Sequence, residues 1–118
     1  MAKILIMLVR VLALAAIIVG SLLWTTGTTG HHPYLGPHIG LGFCVAAVVF
    51  VMAVIAMIKR AVVLGVVGLL LAILLPLIGF MQLPLVFHSL GAMQVAHIAL
   101  GLSAIGVAER LYSAIRRA

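Results

Sequence analysis

The chain alternates between long apolar runs and short polar connections. Four runs, residues 4–25, 38–58, 61–82 and 89–108, are each about 20 residues long and carry almost no charge. A helix needs about 20 apolar residues to cross a bilayer. None of the runs alternates between polar and apolar residues as a membrane β-strand does, and an open sheet could not satisfy its backbone in lipid. The pattern therefore predicts four transmembrane helices and an all-α fold.

The first and second halves of the chain resemble each other. The segment HIGLGFC from His38 matches HIALGLS from His97, 59 positions later, and the same offset aligns Gly20 with Gly79. Helices one and two would then form one hairpin, and helices three and four a second one, related by an axis along the membrane normal. We predict one domain over residues 1–118, an integral membrane antiparallel four-helix bundle built from two repeated helix hairpins.

The positions of the basic residues predict the orientation of the chain in the membrane. The basic residues lie at the two termini or between the second and third runs: Lys3, Arg10, Lys59, Arg60, Arg110, Arg116 and Arg117. Because basic side chains near membrane helices stay on the cytoplasmic side, both termini are predicted to be cytoplasmic. The net charge of +6 is thus mainly a topology signal, with binding to anionic lipid as a secondary effect. These residues are too thinly spread for a nucleic-acid partner.

Two histidines interrupt the apolar runs. His38 and His97 lie where an ionisable side chain is costly and marks a functional site unless it has a partner. Each is followed four residues later by a glycine, Gly42 or Gly101. Since positions i and i+4 share a helix face, the glycines would leave a flat slot beside each imidazole. Close helix packing by small residues would use the same glycines, but it does not explain the histidines.

A flat, metal-bearing cofactor between the two imidazoles would give each of them a partner, and haem b is the candidate. Histidine is a usual axial ligand of haem, and helix bundles build such sites from facing helices. We therefore predict that His38 and His97 ligate the metal and that Gly42 and Gly101 border the cofactor. Two axial histidines leave no open position for a substrate, and Glu109 is the sole acidic residue. The pattern favours electron transfer over independent enzymatic activity.

Two histidines outside the pair are further candidates. His32, in the connection between the first two runs, is interpreted as a solvated loop residue that could also contact a haem propionate or take part in quinol proton transfer. His88 stands nine residues before His97, about half a turn out of phase on a helix. It is therefore a reserve ligand if the pairing of His38 with His97 is wrong.

The remaining polar residues have simpler interpretations. Arg10 is predicted to form a structural ion pair with Glu109, with snorkelling to the cytoplasmic face as the alternative. Gln82 and Gln94 could bond a cofactor, a quinone or a neighbouring helix. The lone Cys44 excludes an internal disulfide and a multi-thiolate metal site, and it is expected to be a small core residue.

With these residues in view, the chain resembles the small four-helix b-type membrane cytochromes, and it is similar to one half-bundle of haem A synthase. In the haem A synthase half-bundle the second and fourth helices each carry a histidine, and the matching positions here are His38 and His97, with the trailing Gly42 and Gly101. The resemblance covers the whole chain in topology but two short segments in sequence. Haem A synthases place an acidic residue shortly before the second-helix histidine, where this chain has Tyr34 and Leu35. The resemblance therefore implies haem binding without synthase catalysis.

The function expected from these patterns is single-electron transfer near the outer face of a bacterial or archaeal cytoplasmic membrane. The expected partners are the lipid bilayer, a quinone, and other proteins in a respiratory or redox complex or further copies of the chain. One alternative is a non-catalytic structural or assembly subunit whose small-residue faces bind other helices. Another is a binder of a different pigment or metal, such as chlorophyll or copper. Transport is the least favoured, because the apolar runs hold no acidic residue that could couple to protons.

Overall fold

The computed structural model describes residues 1–26, 33–82 and 90–118. These residues form four helices, α1 (Ala2–Thr26), α2 (Leu35–Ile58), α3 (Val62–Met81) and α4 (Leu90–Arg117), and contain no strand. All four helices are long and apolar enough to cross a membrane. The predicted all-α class and the number of helices are therefore confirmed.

Two helices are longer than the apolar runs that predicted them. α2 begins at Leu35 and not at His38, because Pro37 is tolerated within the first helical turn. α4 continues past the predicted end at residue 108 to Arg117. Leu111 and Ile115, four residues apart on one face, are both buried there. The boundary at 108 was wrong because packing of this face extends the helix beyond the uncharged stretch.

The hydrophobic core lies in one half of the bundle, towards the end that carries the turn between α2 and α3. We call this the basic end. Its centre is formed by side chains from three helices, which are Ile6 and Val9 of α1, Val49 and Met52 of α2, and Leu111 of α4. The described residues of the opposite half form no comparable core, and that half contains the cavity that is described below.

Glycines allow α2 and α3 to pack closely at the basic end. A Cβ atom built on Gly65 would clash with the side chain of Met57 and lie 2.8 Å from the carbonyl oxygen of Ala53. A Cβ on Gly68 would lie 2.9 Å from the Cβ of Ala53. Small residues let helix backbones approach in this way, so these two positions set the separation of the two helices.

The turn between α2 and α3 is a Schellman motif. The N–H of Ala61 donates to the carbonyl of Ala56 at 2.9 Å, and the N–H of Arg60 donates to that of Met57 at 3.0 Å. Arg60 has a φ of 68°, the left-handed conformation that this motif requires after the C-cap residue Lys59. Glycine is the usual residue at such a position, because a side chain is strained there.

An ion pair joins α1 to α4. Arg10 donates from Nε to Oε1 of Glu109 at 2.7 Å and from Nη2 to Oε2 at 3.0 Å. The two parallel hydrogen bonds form the bidentate arrangement that suits a guanidinium and a carboxylate. The predicted ion pair is therefore confirmed, and it occupies both oxygens of the sole acidic side chain in the sequence.

Candidate functional site

The half of the bundle away from the basic end contains a cavity of about 380 Å³, bordered by all four helices. His38 of α2 and His97 of α4 both line it, and their ring centroids are 6.0 Å apart with the ring planes at 72°. Gly42 and Gly101 line the same cavity. The structure thus places the four principal candidate residues around one space.

His38 has a defined hydrogen bond to the preceding helix. Its Nδ1 lies 3.0 Å from the carbonyl oxygen of Ala16 in α1. Because a carbonyl oxygen only accepts, Nδ1 must carry the proton in this bond. The neutral ring then keeps a lone pair on Nε2. A histidine that ligates a metal is commonly held in this way, by a carbonyl that orients the ring and selects its tautomer.

The Nδ1 atom of His97 is buried, but it makes no hydrogen bond of this kind. Its Nδ1 is inaccessible to solvent and has no hydrogen-bond partner within residues 1–26, 33–82 and 90–118. The backbone of Leu75 in α3 interacts with this ring but does not reach hydrogen-bonding geometry. Leu75 follows Ala16 by 59 positions, the same offset that separates the two histidines. A buried unpaired nitrogen is unfavourable.

Glycines on α1 and α3 contact the imidazoles. A Cβ on Gly20 would lie 2.8 Å from Cε1 of His38, and a Cβ on Gly79 would lie 3.1 Å from Cε1 of His97. Both glycines also line the cavity. The sequence patterns did not mark these two glycines as site residues, although their alignment at the offset of 59 was a usable signal.

Gly42 and Gly101 line the cavity but do not contact the imidazoles. A Cβ on Gly42 would meet nothing within 4 Å, and one on Gly101 would meet Leu75 alone, at 3.9 Å. Side chains on a helix lean towards its N-terminus, so the ring of a histidine turns away from the residue four positions later. The two glycines instead leave open space in the cavity wall.

The two sides of the cavity differ. Phe43 of α2 and Phe80 of α3 contact each other with ring centroids 5.6 Å apart, and this pair closes the side between these helices. The offset of 59 aligns Phe43 with Leu102 and Phe80 with Ser21. Those two smaller side chains, which lie on α4 and α1, also line the cavity, and α1 and α4 pack against each other less extensively than α2 and α3. The α1–α4 side is therefore the less closed one.

Other candidate residues fall into three groups. His32 and His88 lie outside the described residues. Gln82 and Gln94 are half-buried and line the cavity. Cys44 is exposed on the surface of α2, so its expected place in the core was wrong. The buried face of α2 instead includes the two residues that follow it in the sequence.

The donor set restricts which metals could bind. Within the described part of the chain, no three His, Cys, Asp or Glu residues come together. A structural zinc site takes four protein ligands, so the cavity lacks the donors for one. Two imidazoles suit a metal that arrives with its other ligands already attached. Comparison with protein-family models, curated proteins and solved structures finds no match to this chain.

Proposed function

We propose that this chain is a multi-pass membrane protein that binds haem b between His38 and His97 and carries single electrons. In this proposal the basic end faces the cytoplasm and the cavity lies in the outer half of the bilayer. The four helices form two antiparallel hairpins that the repeat relates. The observation that carries the proposal is the pair of imidazoles facing one cavity with centroids 6.0 Å apart.

The separation of the rings suits two ligands on one iron. An imidazole nitrogen binds a transition metal at about 2 Å, and the ring centroid lies roughly 1.2 Å behind that nitrogen, so His38 and His97 would have centroids about 6.4 Å apart if they held one metal between them. The observed 6.0 Å is close to this value. A porphyrin would supply the remaining ligands of the metal, which agrees with a site that offers two protein donors.

The protein's own residues would have three roles. His38, oriented by the Ala16 carbonyl, presents Nε2 as a donor. His97 would complete the pair. The glycines Gly42 and Gly101 leave the space that a flat ring needs, and the apolar walls keep water away. When bound, haem b supplies a one-electron redox couple.

The charge around the cavity favours electron transfer over acid–base chemistry. Glu109, the sole acidic side chain in the sequence, is bonded to Arg10 in the other half of the bundle. No carboxylate therefore lines the cavity to act as a general acid or base. With His38 and His97 both bound to the metal, no position would remain for a substrate. A membrane quinone is the proposed redox partner, and the less closed α1–α4 side is its route from the lipid.

The test is a reduced-minus-oxidised visible spectrum of the purified full-length protein, with a pyridine haemochrome assay for the type and amount of haem. We expect about one haem b per chain and the sharp bands of a low-spin, bis-histidine iron. His38→Ala and His97→Ala should each lose the low-spin bands, and added imidazole should restore them. The matched control is Ser103→Ala, because that hydroxyl bonds its own helix at Ala99. A folded protein that takes up no haem on reconstitution would reject the proposal.

A second candidate function is that of an assembly subunit, and the outward face of α4 favours it. A Cβ on Gly91 or Gly106 would meet nothing within 4 Å, and Ala99 between them is exposed. Their spacing of seven to eight residues places them on one side of the helix. Small residues on one face allow another membrane helix to approach closely. Gly106→Leu should then disrupt a complex isolated in mild detergent and leave the haem spectrum unchanged.

A further inference from the structure

A cleft at the basic end, separate from the histidine cavity, carries two arginines. It is lined by Arg110, Ser113, Ala114 and Arg117 of α4, by Leu64 of α3, and by Glu109. The positions 110, 113, 114 and 117 follow the i, i+3, i+4, i+7 spacing of one helix face. The two arginines are exposed, whereas the two small residues between them are half-buried. The face therefore has a cation at each end and a recess in the middle.

The acidic residue in the cleft does not cancel this charge. The carboxylate of Glu109 accepts hydrogen bonds from Arg10 through both of its oxygens. The hydroxyl of Ser113 donates to the backbone carbonyl of Glu109 at 3.1 Å. Glu109 and Arg10 together are neutral, so the cleft has the positive charge of Arg110 and Arg117 in excess.

The spacing of the guanidinium groups suits a phosphate group between them. Arg110 and Arg117 are seven residues apart, which is roughly 10 Å along a helix. Two long side chains anchored at that distance can converge on one anion above the small residues. Arginine binds phosphate oxygens through paired N–H donors, which gives geometric specificity in addition to charge.

An apolar surface continues from the cleft. Leu64 forms its α3 wall, and Val67, one turn further along α3, is an exposed apolar side chain. A free phosphate ion has no apolar part that could pack on this surface, whereas the acyl chains of a lipid would cover it. Because α3 is apolar enough to cross a membrane, the arginines would lie where its span meets the headgroup region.

We propose that this cleft binds the headgroup of an anionic phospholipid, with its phosphate held between Arg110 and Arg117 and its acyl chains along α3. The site does not depend on haem. It would fix one lipid at a defined place on the bundle, beyond the general attraction of a basic surface for an anionic leaflet.

The chain offers a matched control in Arg116. Its guanidinium carbon lies 5.4 Å from the centroid of the Tyr112 ring, and Nη1 donates to the Tyr112 hydroxyl at 3.3 Å. Arg116 does not line the cleft. Arg116→Gln and Arg117→Gln therefore remove the same charge from adjacent positions, but only the second changes the proposed site.

The test measures retained lipid by native mass spectrometry of the full-length protein in detergent, with dioleoyl phosphatidylglycerol or dioleoyl phosphatidylcholine added. We expect one phosphatidylglycerol per chain to be retained in preference to phosphatidylcholine. Arg110→Gln and Arg117→Gln should each weaken retention about fivefold, and Arg116→Gln should change it less than twofold. Inorganic phosphate at millimolar concentration should not displace the lipid.

Three results would overturn the proposal. Equal weakening by Arg116→Gln and Arg117→Gln would show a diffuse effect of charge. Equal retention of phosphatidylcholine would show that the acyl chains alone bind. Full displacement by inorganic phosphate would assign the cleft to a free anion. Circular dichroism of the variants separates these outcomes from unfolding, because the substituted side chains are exposed.

Discussion

Gly20 lies so close to the imidazole of His38 that a Cβ atom on the glycine would fall 2.8 Å from Cε1 of the ring. The equivalent distance from Gly79 to His97 is 3.1 Å. Each histidine thus packs against a glycine of the helix that precedes it in the chain. The absence of a side chain at these two positions lets the rings enter the bundle.

Gly20→Ala should therefore displace the His38 ring and break its hydrogen bond to Ala16. The overpacking cost of about 1–3 kcal/mol exceeds the gain of up to about 1 kcal/mol in helix propensity, so we expect net destabilisation. Gly79→Ala should have a smaller effect because its contact is longer. The measurement is the thermal unfolding midpoint in detergent. The control is Gly40→Ala, because the Cβ position of Gly40 lies in open space, and this variant should be neutral or stabilising. Equal unfolding midpoints for Gly20→Ala and Gly40→Ala would contradict the contact between Gly20 and His38.

Gly65→Ala should separate α2 from α3. A Cβ there would lie 2.8 Å from the backbone oxygen of Ala53, and backbone cannot move aside as a side-chain tip can. We expect destabilisation by about 1–3 kcal/mol, measured as the shift in unfolding by denaturing detergent. Gly106→Ala is the control, since nothing lies within 4 Å of its Cβ position. A Gly65 variant as stable as the Gly106 variant would mean that the helices are not in close contact.

Arg60→Gly should stabilise the chain. A residue with a side chain in the left-handed conformation is strained by about 1–2 kcal/mol, and Arg60 has a φ of 68°. The expected gain is about 1 kcal/mol, measured by the same unfolding assay. Arg60→Ala separates this effect from loss of charge, because alanine removes the guanidinium and keeps the strain. If both variants gained equally, charge and not conformation would be responsible.

The pair formed by Arg10 and Glu109 should behave as a unit. Arg10→Gln and Glu109→Gln each leave a charged group of the bundle without its bidentate partner, so each should lower the unfolding midpoint. The double variant Arg10→Gln/Glu109→Gln should be more stable than the sum of the two losses predicts. Their side chains are 50% and 40% exposed, so added salt should reduce the coupling in detergent solution. If the two losses were additive, the interaction between Arg10 and Glu109 would contribute nothing to the stability of the bundle.

The helix number, the ion pair and the candidate histidines could all be inferred from the sequence. Apolar runs of sufficient length predict helices because a bilayer imposes one span length on every crossing segment. Arg10 and Glu109 were paired correctly, because a charge in an apolar run has few possible partners in a chain with one acidic residue. The histidines were marked by the repeat and by their apolar surroundings.

The contacts made by those residues required the tertiary structure. The offset of 59 aligns Gly20 with Gly79, but their contact with the imidazoles depends on how α1 packs on α2 and α3 on α4. The end of α4 at Arg117 depends on the burial of Leu111 and Ile115. The sequence alone determined which segments are apolar enough to form long helices that could cross a membrane, since that depends on local composition. Which of them meet, and which side of the cavity stays open, was decided by helix packing, because such contacts join residues far apart in the chain.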